Sequence, residues 1–311
     1  MSVVAQRFNG SESAQNALDA LTHELQMRHS GAVSALLFYG SCLRTGDLYD
    51  GLVDLYVIVK DYRSAYPSRF TSLANWLLPP NVYYCETDAS AGRVRCKYAV
   101  LSLADLEDGC SNRWFQSYVW GRFCQPVAIA WRDSERTESR IRAAFLEAAC
   151  TFINRTLPLV EPRGTLRSLW ETGLAASYLT ELRAEGGKRP GLIVDQGASF
   201  YFNITREVAE RLDPPLDIDD GAEPGYRMRA APSSATRARR LWKLRQLQGK
   251  TLSIARLLKA LFTFDGGLDY IAWKLERHSG IPVHIPDKVR RWPLIFIWGL
   301  MWDLYRKGVF R

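Results

Sequence analysis

Residues 36–61, LLFYGSCLRTGDLYDGLVDLYVIVKD, place Gly40-Ser41 a short interval ahead of Asp54. An apolar run that ends in Gly-Ser can turn so that backbone N–H groups and a hydroxyl face a phosphate. A carboxylate on the next strand can hold magnesium, which takes oxygen ligands and often only one or two from protein. Side chains alternate along a strand, so Val53, Leu55, Val57 and Val59 share one side, and Asp54, Tyr56 and Ile58 the other. The first set reads as the core face, which leaves Asp54 on the opposite side beside Tyr56. Taken alone, the same residues also fit a plain turn and a solvated strand aspartate.

Positioning such a pair requires strands, and the chain supplies them. Residues 35–41, 52–59, 81–86, 94–102 and 125–131 are rich in branched and aromatic residues. Ser13 to Arg28 reads as an amphipathic helix, with Ala14, Ala17, Leu18, Leu21 and Leu25 at helical spacing. Ser102 can cap a short helix, and Trp114 to Trp120 suits another. A small mixed sheet with helices is expected up to about residue 132. Helices follow at 134–155 and 166–185, then an exposed, proline- and acid-rich loop at 213–234. A basic helix at 235–250, a further helical stretch and a tryptophan-rich basic tail complete the chain.

Composition narrows the partners. The chain has 311 residues, with 41 Lys and Arg against 33 Asp and Glu, a formal net charge of +8. That excess points to anions: nucleotides, nucleic acid or acidic lipid headgroups. RARRLWKLRQ could meet nucleic acid, but no recognition fold accompanies it, so no nucleic-acid partner is expected. Six scattered cysteines without a CxxC pair argue against zinc and for buried free thiols in a reducing compartment. No signal-like N-terminus and no run of roughly 18 apolar residues is present. A cytoplasmic protein is the expectation.

Hydrophobic-Gly-Ser followed by an acidic strand is the pattern of the nucleotidyltransferase superfamily, except that Tyr56 stands where a second acid is usual. One family within it lacks that acid as well. VRCKYAVLSLADLEDGCSNRWFQSYVWGRFCQPVAI, residues 94–129, resembles the mitochondrial-type phosphatidate cytidylyltransferases, the translocator-assembly-and-maintenance family. Lys97-Tyr98, Trp114, Gly121-Arg122 and Pro126-Val127 match that family's pattern in order and spacing. Tyr39-Gly40-Ser41 matches its signature, and Val53-Asp54-Leu55 its acidic strand. Ser253, Lys259, Phe262 and Thr263 look like a C-terminal motif of the family, and SYLTELR like another in which Glu181 replaces an aspartate.

The resemblance implies a nucleotidyltransferase domain at 1–133 with an α/β mixed sheet. It further implies a largely helical domain at 134–250, for which a winged-helix form is one option, and C-terminal helices with a membrane-surface tail at 251–311. It implies a reaction: CTP plus phosphatidic acid gives CDP-diacylglycerol and pyrophosphate. Asp54, Lys97 and Arg122 would be catalytic, and Tyr39, Gly40, Ser41, Lys97 and Arg122 would surround CTP. Mg2+ would sit on Asp54 and Glu181, although Glu181 serves equally well as a partner for Arg183. Trp114 suits the core better than base stacking. Because phosphatidic acid lies in an anionic membrane, the protein would be peripheral on the inner face of the cell membrane. WPLIFIWGLMW, residues 292–302, flanked by basic residues, suits an interfacial helix; docking on the protein's own core is the alternative. A nucleotidyltransferase for another phosphorylated acceptor and a non-catalytic nucleotide-binding protein at the membrane surface remain open.

Overall fold

Ser11 starts the first helix by accepting from the Ala14 amide, and Glu12 and Arg28 complement the helix dipole at its two ends. This helix, α1 (Glu12–Arg28), presents Ala14, Ala17, Leu18, Leu21 and Leu25 to the sheet, as their spacing predicts. The computed structural model describes residues 4, 6–29, 31–181, 189–221, 223–263 and 283–291, with single positions at 272, 276, 296, 299, 302 and 306.

The first part of the chain runs β1 (Val33–Tyr39), α2 (Ser41–Thr45), β2 (Val53–Val59), α3 (Tyr62–Ala65), α4 (Arg69–Leu77), β3 (Asn81–Ala89), β4 (Gly92–Ser102), α5 (Leu103–Cys110), α6 (Trp120–Phe123) and β5 (Ala128–Arg132). Its five strands pair in the order β3-β4-β2-β1-β5. The β2–β4 pair is parallel and the other three pairs are antiparallel. Ser102 caps α5 as expected, accepting from the Asp105 amide. The helix expected at Trp114 to Trp120 begins only at Trp120.

Both sheet faces are buried, which corrects the expectation of a single core face. Val53, Leu55, Val57 and Val59 pack with α1, while Tyr56 and Ile58 pack with α5, α6 and α7 (Glu135–Thr156). A central strand covered on both sides reads as a near-continuous apolar run, and VDLYVIV is one apart from its aspartate. Asp54 stays accessible because it sits at the strand's entry, beyond Tyr56.

After α7 come β6 (Arg163–Thr165), α8 (Leu166–Tyr178), α9 (Arg189–Gln196), α10 (Ala198–Val208), β7 (Leu216–Asp219), β8 (Gly225–Met228) and α11 (Ala235–Thr263). The segment 213–234 is therefore not a plain loop. Its two four-residue strands join β6 in an antiparallel sheet of order β6-β8-β7, anchored by buried Leu216, Tyr226 and Met228. Helix α8 ends at Tyr178, short of the expected 185. Helix α11 runs unbroken across residue 250.

One apolar cluster joins the sheet to the helices. Phe123 stacks on Phe145 at 5.1 Å between centroids, Phe152 on Trp170 at 4.7 Å, and Trp170 meets Tyr201 at 4.7 Å. Each such fully buried ring contributes roughly 1.5–3 kcal/mol, so segments 1–133 and 134–250 hold each other in place. All six cysteines are buried and free. Of the 292–302 run, only Phe296, Gly299 and Trp302 are among the described residues.

Candidate functional site

At the end of β1 the backbone of Gly40 adopts φ 90° and ψ −161°, a region open essentially to glycine alone. A Cβ added there would stand 2.6 Å from Asp54 Oδ2. Conformation and proximity therefore both require glycine, and the turn and the acid belong to one place. The sheet register explains why. Tyr39 opposes Asp54 across β1–β2, and Asp54 pairs with Lys97 across β2–β4. Lys97 Nζ lies 3.1 Å from Asp54 Oδ1.

Arg122 enters from α6. Its Nη1 donates to the Tyr56 hydroxyl at 2.8 Å, and its Nη2 to Glu181 Oε1 at 3.1 Å and Oε2 at 3.4 Å. The guanidinium also lies 4.5 Å from the centroid of the Tyr118 ring. Burial works against its charge, but the Glu181 carboxylate, with the Tyr56 hydroxyl oxygen and the face of the Tyr118 ring, outweighs burial and holds the arginine charged. Burial likewise pushes the phenols of Tyr39 and Tyr56 up, so both remain neutral hydrogen-bonding groups. Glu181 can reach Arg122 because α8 has ended, with the Thr180 hydroxyl turned back to the Ser177 carbonyl at 2.6 Å.

These groups surround one cavity of about 810 Å3. Tyr39, Gly40, Ser41, Asp54, Lys97, Arg122 and Glu181, the seven residues given catalytic, nucleotide or metal roles from the sequence, line it. Two further parts of the lining were not foreseen: Arg189, Ile193 and Gln196 of α9 with Phe200 and Tyr201 of α10, and, on the near side, Arg44 just past Ser41. No motif marks α9 or α10. Arg44 could have been noticed, as a cation on the turn that follows a phosphate-type glycine.

Trp114 packs partly buried against the core and does not line the cavity, as expected of a core residue. Lys259 is also away from it. Its ammonium donates to the Leu78 and Pro80 carbonyls at 2.6 and 2.9 Å, and burial, with help from Arg256, pulls it down to about 7. Arg256 lies 4.1 Å from the Tyr118 ring that also carries Arg122. Helix α11 thus meets Tyr118 through Arg256, one turn before Lys259. Arg183 and the side chain of Phe262 lie outside the described residues.

The chemistry available is ionic. Each carboxylate in the cavity already faces a cation, Asp54 with Lys97 and Glu181 with Arg122, and incoming phosphates would compete for those cations. Among the described residues, no group of three or more His, Cys, Asp or Glu could hold a metal by itself. The chain matches no protein-family model and no curated protein.

Proposed function

We propose that the chain is a phosphatidate cytidylyltransferase, joining CTP and phosphatidic acid into CDP-diacylglycerol with release of pyrophosphate. The observation that carries this reading is the convergence of seven residues, spread from Tyr39 to Glu181, on one polar cavity. The order α7-β6-α8-α9-α10-β7-β8, with β8 between β6 and β7, supports the winged-helix option for the helical part.

In this reading the Gly40-Ser41 turn receives the triphosphate, and Lys97 and Arg122 stabilise negative charge on its oxygens. The acceptor phosphate attacks the α-phosphorus in line with the departing pyrophosphate, so catalysis is mainly positioning and charge neutralisation. The donor set fits magnesium: Asp54 Oδ2 faces the Gly40 turn, where triphosphate oxygens would complete an oxygen shell. When bound, the ion would neutralise charge on the nucleotide phosphates. Glu181, with both oxygens on Arg122, fits an anchor for that arginine better than a metal ligand.

Among the described residues, no helix is long and apolar enough to cross a membrane. Access to a lipid substrate would then come from the surface, with the basic, tryptophan-rich tail as the docking element. Cytidine-labelled CTP incubated with phosphatidic acid vesicles tests the whole reading. Label extracted into the lipid phase is the expected result. A water-soluble labelled product would point to another phosphorylated acceptor, and binding without product to a non-catalytic protein.

A further inference from the structure

Helix α4 is built inside out. Its buried residues are the polar Ser72 and Asn75. Asn75 Nδ2 donates to the Val100 carbonyl at 3.1 Å, and its Oδ1 accepts from the Asn81 amide, so a buried side-chain amide ties the helix to the sheet. The apolar residues turn the other way. Phe70, Leu73 and Leu77 follow one another on one side, with Trp76 beside them, and each is more than half exposed. Helix α11 adds a second stretch, in which Ile254, Leu257 and Leu258 are also more than half exposed. Arg256 donates to the Pro79 carbonyl, and Lys259 to those of Leu78 and Pro80, which holds this stretch at the end of α4. A lone exposed leucine needs no explanation, but large apolar side chains gathered on two adjoining helices mark a contact surface.

Charge selects what that surface meets. Residues 235–263 contain eight Lys or Arg and no Asp or Glu, and residues 69–77 contain Arg69 and no acid. Lys250, four residues before Ile254, and Lys243, seven before Lys250, are exposed on the same side of α11. A second copy of the chain would bring like charges together. An anionic bilayer complements them: apolar side chains enter its boundary, tryptophan favours the headgroup level, and lysines meet lipid phosphates. We infer that the α4–α11 face docks on an anionic bilayer, with Phe70, Leu73 and Trp76 in the headgroup boundary and Lys243 and Lys250 against the lipid phosphates. This assigns docking to residues apart from the tail, and it does not rest on the reaction proposed above. The face also stands near the cavity. Arg256, between Ile254 and Leu257, lies 4.1 Å from the centroid of the Tyr118 ring, and that ring lies 4.5 Å from the Arg122 guanidinium.

Sedimentation of the full chain with vesicles tests the inference. Vesicles of phosphatidylcholine alone are compared with vesicles that also contain phosphatidylglycerol, which is anionic but has no phosphomonoester and so is no acceptor for the proposed reaction. Wild type should bind the second kind at least about tenfold more tightly than the first. Trp76→Glu combined with Leu257→Glu should weaken that binding by about tenfold or more. Lys243→Gln combined with Lys250→Gln should weaken it by about tenfold at low salt and less at high salt. All four side chains are exposed, so both variants should melt with wild type. The native cysteines are all buried, so a polarity-sensitive fluorophore can be placed selectively on Leu73→Cys, and its emission should shift to the blue when vesicles are added. Sedimentation with unshifted emission would assign docking to another element, such as the tail, and overturn the inference. So would a wild type that ignores phosphatidylglycerol vesicles, or a Trp76→Glu, Leu257→Glu variant that binds them as wild type does. If that variant instead turns a wild-type dimer into a monomer while vesicle binding stays unchanged, the face belongs to a second copy and the inference falls. Docking through Leu73 without lipid product in the labelled-CTP assay would keep this inference and remove the proposed function.

Discussion

Lys97 and Asp54 are register partners on the parallel strands β4 and β2, and their side chains meet with Nζ 3.1 Å from Oδ1. Both are partly exposed, and a pair of that kind adds on the order of 1 kcal/mol or less to stability. The fold therefore does not depend on it. Its place, one strand from the Gly40 turn and open to the cavity, makes it a pair that anionic ligand and cation can exchange into.

On the proposed function, Asp54→Asn should accordingly give a folded protein whose turnover falls by at least about a hundredfold, since magnesium would lose its anionic anchor. Steady-state assay beside a melting curve separates the two effects. Turnover near that of wild type would remove Asp54 from the site.

For Gly40→Ala, two costs coincide: a backbone region that only glycine accepts readily, and a methyl 2.6 Å from Asp54 Oδ2. Strain of this kind costs about 1–3 kcal/mol, so the denaturation midpoint should drop and CTP affinity with it. An unchanged midpoint and unchanged affinity would mean that the turn relaxes without consequence.

Ser41→Ala and Lys97→Ala should each weaken CTP binding, the lysine variant more, because it deletes a full charge opposite phosphate. Calorimetric titration reads both. Equal or unaltered affinities would move the triphosphate away from this turn.

The near side of the site was legible because its parts are local. Gly40 with Ser41, and Asp54 on an alternating strand, each carry their chemistry within a few residues. Lys97 and Arg122 needed the resemblance, since nothing in their own neighbourhood marks them. The far wall was not legible. Ile193 and Phe200 line the same cavity as Ser41 only because Trp170, Tyr201 and Phe152 pack α8 and α10 onto α7, a tertiary consequence without local signal. Strands β7 and β8 were missed for a related reason. Four residues beside Pro214, Pro215 and an acidic turn show no alternation long enough to read, and it is burial of Leu216 and Tyr226 that fixes them.

Lys259 makes stability depend on pH in a defined direction. Burial lowers its folded value to about 7, against roughly 10.4 in an unfolded chain. Between those values the unfolded state binds more protons, so stability rises with pH through this window. Below about 7 the ammonium is charged in both states and the penalty of burying it is fully present. Denaturation midpoints of wild type minus Lys259→Met should climb from pH 7 toward 10. Parallel profiles would mean that the two carbonyl contacts keep the amine at its ordinary value.

Arg122 and Glu181 allow a sharper test, because two roles for Glu181 predict different couplings. If it holds Arg122, then Glu181→Gln should lower turnover and leave the magnesium concentration for half-maximal rate unchanged. The double variant with Arg122→Gln should then be little worse than Arg122→Gln alone, since residues in one contact are not additive. If Glu181 is instead a metal ligand, its removal should raise the magnesium requirement, and its effect should add to that of Arg122→Gln. The 3.1 and 3.4 Å contacts of both carboxylate oxygens to one guanidinium nitrogen favour the first outcome. Stability gives a second readout. Both partners are largely buried, at 15% and 21% side-chain exposure, and removing one partner of a buried pair costs about 3–5 kcal/mol where the other charge is stranded. Arg122 keeps Tyr56 and the Tyr118 ring, so Glu181→Gln should fall below that range. A rise in the magnesium requirement with additive losses would return Glu181 to the metal.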